Sequence, residues 1–464
     1  MPAPYRFDPV ILREYDVRGT VGKNLNPTDA AALGRAFGTM VIRAGGKRVA
    51  VGYDGRTHSP DFEAALVEGL VSTGLNAERI GLGPTPMLYF TVFHTGCDAG
   101  IMVTGSHNPP DQNGFKMLMA KHLPGGGPVY GEAVKALGVL AAKGDFVTGQ
   151  GTSKKSDVQD AYIDQLVKAY QGKKALKVVW DIGNGAAGEI VRKLVKKLPG
   201  EHTLLFAEID GRFPNHHPDP SVNKNMRDLQ EAVKKQEADF GVAFDGDADR
   251  LGAVDGDSRI LFGDQLLALF AGEVLKKHPG STVIADVKAS QVLFDHVAAC
   301  GGKPLMWKTG NPLIKVKMAE LNAPLAGEMS GHLFFRDNYG SDDGIYAAVR
   351  LMSLVASSDR SLSSLRDSLP RMVTAPEIRF EVDEARKFVV VDEIKARLQK
   401  DKANVNDTDG VRVTTADGWW LLRASNTQAA LVARAEARDE EGLTRLQALL
   451  AAQLQASGVQ LPVF

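Results

Sequence analysis

The feature that most constrains this chain is a strand-and-loop pattern that it carries three times. Asp98-Ala-Gly-Ile-Met-Val-Thr-Gly-Ser106 aligns without gaps to Asp239-Phe-Gly-Val-Ala-Phe-Asp-Gly-Asp247. Asp, Gly, an apolar run and a second Gly recur in register. Ala323-Pro-Leu-Ala-Gly-Glu-Met-Ser-Gly-His332 is a looser third copy. In each copy a short apolar strand runs into a polar loop. Three other segments share an opening. The runs 48–54, 176–181 and 282–286 are apolar strands that end in Asp, and each is followed by a helical pattern starting near Ser59, near Glu189 and after Ser290. Strand, polar turn and helix make up the unit of an α/β layer. The ordered triplet predicts three related α/β domains, each offering a loop from a strand's carboxyl end to one shared cleft.

The tail breaks the pattern. Beyond about Pro370 come a strand at 377–382, a helix over about 385–400 and a strand at 410–415. Asp417-Gly418 then turns the chain into Trp419-Trp-Leu-Leu-Arg423, and a strand at 430–437 precedes a final helix over about 441–456. Strands joined through Asp-Gly read as a hairpin, so this part is an α+β domain with an antiparallel sheet. A length of 464 residues suits about three or four domains. The expected fold is three α/β sandwich domains with mixed sheets, 1–150, 151–257 and 258–368, and an α+β domain, 369–464, around a central cleft. The bend into the fourth lies between Leu365 and Met372.

Composition enters mainly to exclude. The formal charge of -1 carries no basic surplus or stripe, so nucleic acid is not an expected partner. Small anions remain possible, since a few local arginines suffice for them. Two cysteines, Cys97 and Cys300, cannot frame a chain of this size and read as reduced thiols. Residues 1–19 lack a signal-peptide core, and no run approaches the roughly 18 apolar residues of a membrane span. A soluble, cytoplasmic protein without a membrane partner is expected, as a monomer or weak dimer.

Five constellations carry the chemistry. In Thr104-Gly-Ser-His-Asn-Pro-Pro110 a Ser sits in a Gly- and Pro-bounded loop after a buried strand, where backbone amides can surround an anion; the same residues also make ordinary turns. The nucleophile elbow of a serine hydrolase is absent, because position 104 is Thr and position 108 is Asn. In Asp245-Gly-Asp-Ala-Asp-Arg250, three carboxylates at alternate positions repel one another unless a cation sits among them. Hard oxygen ligands suit Mg²⁺. A calcium loop of the EF-hand type is excluded, since its sixth position would be Arg250 and its twelfth Gly256.

Gly183-Asn-Gly-Ala-Ala-Gly188 matches the dinucleotide fingerprint, with Glu208 and Asp210 where a ribose-binding acid belongs. It supports a competing reading as an NAD-dependent oxidoreductase. The plainer reading is a tight turn with close helix–sheet packing. In Gly327-Glu-Met-Ser-Gly-His332, Glu328 and Ser330 share one side of an extended loop and suit neighbouring sugar hydroxyls. His332 is a candidate general acid or base. Arg423-Ala-Ser-Asn-Thr427 joins a guanidinium to Ser425, Asn426 and Thr427, a set suited to phosphate.

In this order the motifs resemble the α-D-phosphohexomutase superfamily, and most closely its bacterial phosphomannomutase/phosphoglucomutase group, across essentially the whole chain. Glu14-Tyr-Asp-Val-Arg-Gly19 is similar to the family's opening motif. The resemblance implies that Ser106 carries a phosphoryl group and shares a Mg²⁺ with Asp245, Asp247 and Asp249. It implies Arg18, Tyr15 and Arg250 near the phosphoserine, Lys116 and His332 in proton transfer, and Glu328 and Ser330 as sugar readers. Lys288, Asn311, Arg423, Ser425, Asn426 and Thr427 complete the expected substrate site. Relatives often carry His where this chain has Asn311, and Asn cannot titrate there.

The implied reaction passes a phosphoryl group from Ser106 to a hexose phosphate and takes the other one back, with hexose 1,6-bisphosphate as intermediate and activator. Small sugar phosphates of glucose and mannose are the expected partners. A glucosamine-phosphate mutase and a non-catalytic sugar-phosphate binder stand as alternatives beside the oxidoreductase.

Overall fold

Three of the four sheets share one strand order, which is the repeat made visible. The computed structural model describes residues 3–426 and 428–462. In the first sheet Gln112–Met119, Ala99–Val103, Arg48–Tyr53 and Asn76–Leu82 lie side by side in that order. The second runs Leu251–Asp255, Phe240–Phe244, Leu176–Asp181, Gly200–Leu205, and the third Leu333–Phe335, Leu325–Gly327, Thr282–Asp286, Lys303–Trp307. Each time the first pair is antiparallel and the next two are parallel. The sheets are therefore mixed, as expected. Additional strands, Val17–Thr20 and Ser153–Lys155 among them, widen the first sheet, and Ile260–Leu261 widens the second.

The shared order explains where the polar loops go. Ala99–Val103 and Phe240–Phe244 are buried at every position, as strands covered on both faces must be. Each then reverses into its antiparallel neighbour. The reversals are residues 104–111, 245–250 and 328–332, so all three chemistry-bearing loops are the same topological element. Side-chain caps fix the helices behind them. Ser290 accepts from the Val292 N–H ahead of Gln291–Ala299, and Asp343 accepts from the Tyr346 N–H ahead of Gly344–Ser357.

The fourth domain is built otherwise. Its six strands are all antiparallel, ordered Val373–Thr374, Ala430–Ala437, Gly418–Ala424, Val411–Thr414, Val405–Asn406, with Ile378–Glu381 also pairing on Ala430–Ala437. The helix Lys387–Lys400 starts two residues later than the sequence pattern suggests. The helix Glu440–Gln455 buries Leu443, Leu446, Leu450 and Leu454, the spacing of one apolar stripe.

Packing separates the domains into two groups. One apolar cluster reaches through parts of the first three, from Leu88 and Phe90 by way of Tyr162, Trp180 and Phe244 to Phe270, Leu325 and Met352, while Ile101, Val103 and Phe115 behind the Ser106 loop belong to a separate core of the first domain. The fourth has its own core around Trp420, Leu431 and Leu446. Its apolar link to the third is small: Val287, Trp419 and Leu421, with Met306 beside them. Polar contacts do the rest. The Arg412 guanidinium lies 3.7 Å over the Trp419 ring and donates to the Val287 and Ala289 carbonyls at 2.7 Å each. Arg434 donates to the Lys288 carbonyl, and Glu436 accepts from Ser290 Oγ and Trp419 Nε1 at 2.9 Å each.

Cys97 and Cys300 are free thiols, the first buried and the second half-buried. Among the described residues no helix is long and apolar enough to cross a membrane.

Candidate active site

The loops at 104–111 and 245–250 meet across the boundary between the first two domains. Ser106 is 3% exposed and adopts a left-handed backbone, φ 49°, unusual for a residue with a Cβ. Its Oγ donates to Asp245 Oδ2 at 2.9 Å, and its N–H donates to Thr104 Oγ1 at 2.8 Å. His107 Nδ1 lies 3.3 Å from Ser106 Oγ. Burial first, and then the Arg250 charge, hold the His107 imidazole far below its usual value, so it is neutral.

Asp245, Asp247 and Asp249 are fully buried, and one oxygen from each lies within 4.8 Å of the others. The curve that brings alternate residues together passes through Ala248 at φ 57°. Burial raises the Asp245 carboxyl well above the usual range, and Asp249 and Asp247 add to it. Burial also works against ionised Asp247, but Lys116 and Thr85 hold its pKa well down. Lys116 Nζ donates to Asp247 Oδ2 at 2.7 Å and also to Asp249 Oδ2. Despite burial, these two carboxylates raise the lysine above its usual value, so it is an ammonium here. Thr85 Oγ1 donates to Asp247 Oδ2 at 2.5 Å. Asp247 Oδ1 and Asp249 Oδ1 are buried without a hydrogen-bond partner. Buried, unpartnered carboxylate oxygens are costly. Three hard oxygen donors arranged so fit a divalent cation.

The 245–250 loop also touches the third domain. Arg250 Nε donates to His332 Nε2 at 3.0 Å, while His332 Nδ1 faces Asp342 Oδ2 at 3.0 Å. The ring thus sits between the Arg250 guanidinium and the Asp342 carboxylate. Asp342 also accepts from Asn311 Nδ2 at 2.8 Å and pairs with Lys315 at 2.5 Å. Glu328 takes the Gly310 N–H at 2.6 Å and the Ser330 hydroxyl at 3.1 Å, so the two expected sugar readers bond to each other. Lys288 Nζ lies 3.1 Å from Glu377 Oε2.

From the first domain, Arg18 binds Asp16 at 2.8 Å and the Thr104 carbonyl at 2.9 Å. In the fourth, Arg423 Nε donates to Asp409 Oδ2 at 2.9 Å. Ser425 is buried, and its N–H donates to the Ala430 carbonyl at 2.9 Å. Asn426 Nδ2 donates to Tyr15 Oη at 2.6 Å. Thr427 lies outside the described residues. The Thr309 peptide is a junction of three domains. Its N–H donates to Asp409 Oδ2 at 3.0 Å, its carbonyl accepts from Tyr15 Oη at 2.8 Å, and its hydroxyl donates to Asp286 at 2.9 Å. Burial raises the Tyr15 phenol to about 12, so it donates as a neutral hydroxyl.

These groups surround one cavity of about 1740 Å³. Tyr15, Arg18, Ser106, Lys116, Arg250, Lys288, Asn311, Glu328, Ser330, His332, Arg423, Ser425 and Asn426 all line it. The three aspartates do not line it, but Ser106 and Lys116, which do, bond to Asp245 and Asp247. The dinucleotide fingerprint does not reach it. A Cβ at Gly185 would stand 2.9 Å from the Gly246 carbonyl, and one at Gly188 would stand 2.2 Å from the Ala207 carbonyl. The Ala186 N–H donates to the Gly246 carbonyl at 2.9 Å. Gly185 packs against the 245–250 loop, and Gly188 against the backbone of Ala207.

Three residues around the site have no motif of their own in the sequence: Arg56, Thr85 and Asp342; a fourth, Asp54, closes one of the apolar strands. The strand-ending Asp recurs at 54, 181 and 286 and was the available signal. Which loop each one binds is set by the tertiary fold.

Comparison with known proteins covers the chain from end to end. Residues 9–137, 160–258 and 262–373 match the family models described as phosphoglucomutase/phosphomannomutase, alpha/beta/alpha domains I, II and III. Residues 377–453 match the C-terminal domain of the same family. The chain is 42% identical over 454 residues to a phosphomannomutase/phosphoglucomutase of Pseudomonas aeruginosa, covering 98% of this chain and 97% of that one. It is 41% identical over 442 residues to a phosphoglucomutase of Neisseria gonorrhoeae, covering 94% and 95%. A crystal structure of a phosphoglucomutase/phosphomannomutase family protein from Burkholderia thailandensis superposes with a TM-score of 0.92 at 41% identity, covering 98% of this chain and 100% of that one. With its four domains, its ordered loops and these relatives, the chain belongs to the phosphoglucomutase/phosphomannomutase family of phosphotransferases.

Proposed function

We propose that this enzyme interconverts hexose 1-phosphates and hexose 6-phosphates of glucose and mannose, through a phosphoserine at Ser106 and a hexose 1,6-bisphosphate that also serves as activator. The observation that carries the reading is the meeting of Ser106 Oγ at 2.9 Å with Asp245 of a buried acidic triad, in a cavity that Arg423 also lines. Phosphoryl transfer asks for little covalent chemistry beyond positioning and charge neutralisation.

Asp245, Asp247 and Asp249, with an oxygen borne on Ser106, would hold Mg²⁺. When bound, the ion offsets charge on the transferred phosphoryl oxygens. The protein's own groups do the rest. Phosphorylated Ser106 gives its phosphoryl group to the free hydroxyl of the substrate: the serine O–P bond breaks as the sugar O–P bond forms. The bisphosphate turns over in the cavity, and its other phosphoryl group returns to Ser106. Arg18, Arg250 and Lys116 lay positive charge around the serine. Lys116 or His332 accepts the attacking hydroxyl's proton, the oxygen that leaves takes a proton in its place, and the return transfer reverses both, so each group ends the cycle as it began. Glu328 and Ser330 exchange their mutual bond for the 3- and 4-hydroxyls of the sugar, which glucose and mannose share. Lys288, Asn311 and Tyr15 complete the sugar side. Arg423, Ser425, Asn426 and Thr427 hold whichever phosphate is not reacting.

The relatives named for mannose and glucose phosphates support the dual specificity. The reading includes a cytoplasmic enzyme, monomeric or weakly dimeric, with no nucleic-acid or membrane partner; the net charge of -1 supports the absence of a nucleic-acid partner. Intact-mass analysis of purified protein tests the core of it. One phosphate on the peptide carrying Ser106, gained from hexose 1,6-bisphosphate and absent in Ser106→Ala, is expected. No phosphate on an active enzyme would overturn the scheme. Rates on glucose, mannose and glucosamine 1-phosphates test the specificity, and a strict preference for the amino sugar would reverse it.

A further inference from the structure

Arg56 is 1% exposed and does not line the cavity, yet it touches the Ser106 loop more extensively than any residue of the cleft. Its guanidinium donates five hydrogen bonds. Nε reaches Asp54 Oδ2 at 3.2 Å, Nη1 reaches the carbonyls of Pro109 at 2.5 Å and Gln112 at 2.9 Å, and Nη2 reaches those of Ser106 at 2.8 Å and Asn108 at 2.6 Å. A buried cation needs partners for every donor, and here four of the five partners are backbone carbonyls within residues 106–112. Asp54 works from the same side. Its Oδ2 accepts from Thr104 Oγ1 at 2.8 Å and the Gly105 N–H at 2.9 Å. The loop is moulded onto the guanidinium: a Cβ at Gly105 would lie 2.1 Å from its carbon.

The consequence falls on Ser106. Its carbonyl is drawn back to Arg56 and its N–H to Thr104 Oγ1. Both sides of its left-handed backbone are therefore pinned, and the hydroxyl is left aimed at Asp245. In a trans peptide the N–H opposes the C=O. The N–H of His107, which follows the captured Ser106 carbonyl, consequently points away from Arg56. A lysine could not substitute, because an ammonium is a compact charge with three donors rather than a planar fork with five.

We propose that Arg56, backed by Asp54, is a positioning residue for phosphoryl transfer: it holds residues 106–112 in the one curvature that sets Ser106 Oγ over the acidic triad. The inference rests on the reading of Ser106 as the phosphoryl carrier.

The test is Arg56→Lys in the full-length enzyme, with Arg56→Ala for chemical rescue. Arg56→Lys should fold, with unchanged circular dichroism, and lose about 100-fold in kcat, the scale of an ångström-level misplacement. KM for the hexose 1-phosphate should stay within about twofold, because the sugar and phosphate loops are untouched. Phosphate transfer from hexose 1,6-bisphosphate to Ser106, followed by intact mass, should slow by the same factor as kcat. Millimolar guanidinium should restore at least about tenfold to Arg56→Ala, while methylammonium should not, since only the planar fork matches the carbonyls. Four outcomes overturn the inference: a near-normal kcat in Arg56→Lys, a loss carried by KM, no discrimination between the two rescue cations, or variants that stay unfolded in guanidinium, which would assign Arg56 to folding. If wild-type enzyme takes up no phosphate at Ser106, the proposed function fails. A normal Arg56→Lys beside a phosphorylated wild type defeats this inference alone.

Discussion

The wall of the cleft that carries Ser106 and the aspartates is tied to its neighbours by a large shared apolar cluster, whereas the wall that carries Arg423 and Asn426 joins them through three buried apolar side chains and a polar grip. Apolar burial on the scale of the first is not undone without unfolding. Hydrogen bonds to carbonyls and a stacked guanidinium are individually modest and exchangeable. The contrast divides the labour. Groups that must keep ångström geometry sit on the fused wall, and groups that must admit, hold and release a phosphate sit on the detachable one. Substitutions on the first should therefore act on kcat and those on the second on KM.

The largest effect belongs to Ser106→Ala, which should lower kcat by about 10⁴-fold or more, as loss of a nucleophile does; residual turnover near wild type would break the contrast outright. Asp247→Asn comes next, with a fall of roughly 10³-fold in kcat, the several kcal/mol a bound cation contributes. Chelator treatment and Mg²⁺ add-back on wild type should bracket the same range. Arg423→Ala tests the other wall. It should raise KM by about 30- to 100-fold, the value of a charge-assisted hydrogen bond or two, and change kcat by less than about threefold. A pure kcat loss there would erase the distinction. Trp419→Ala should loosen the fourth domain as a unit and lower kcat/KM by about tenfold. Hydrogen exchange should then quicken within residues 377–453 and leave the first three domains unchanged.

The smallest effect sharpens the comparison by leaving kinetics alone. His216 Nε2 lies 2.9 Å from Asp181 Oδ2 within the fused part. Burial works to lower the histidine's pKa, but the hydrogen bond and charge of Asp181 raise it overall. A raised histidine contributes stability in full below its unfolded value of about 6.5 and loses it as pH rises through the folded value. Melting temperature should therefore fall slightly between slightly acidic and mildly alkaline pH. His216→Asn should flatten that slope with kcat and KM unchanged.

Much of this architecture was legible because it is periodic. Strands 48–54, 176–181 and 282–286 announce themselves by apolar runs closing on Asp, and the chain's own repetition at 98–106 and 239–247 exposes the loops. The fourth domain was readable from Asp417-Gly418 and its flanking strands. What sequence could not reveal is which loop faces which. Nothing near Arg56 says that its partners are carbonyls fifty residues on, and Asp342 carries no motif, although it meets His332, Asn311 and Lys315 at once. The fingerprint at 183–188 misleads for the same reason. Glycines needed for close backbone approach look alike whether the approaching atom belongs to a nucleotide or, as here, to the Gly246 carbonyl.

The Thr309 peptide is where these lines cross. Because its amide, carbonyl and hydroxyl are each claimed by a different domain, the fourth domain cannot swing aside without surrendering the bond from that amide. Its proton is thus a built-in gauge: the rate at which Thr309 trades hydrogen for deuterium counts how often the gate stands ajar, at a single atom.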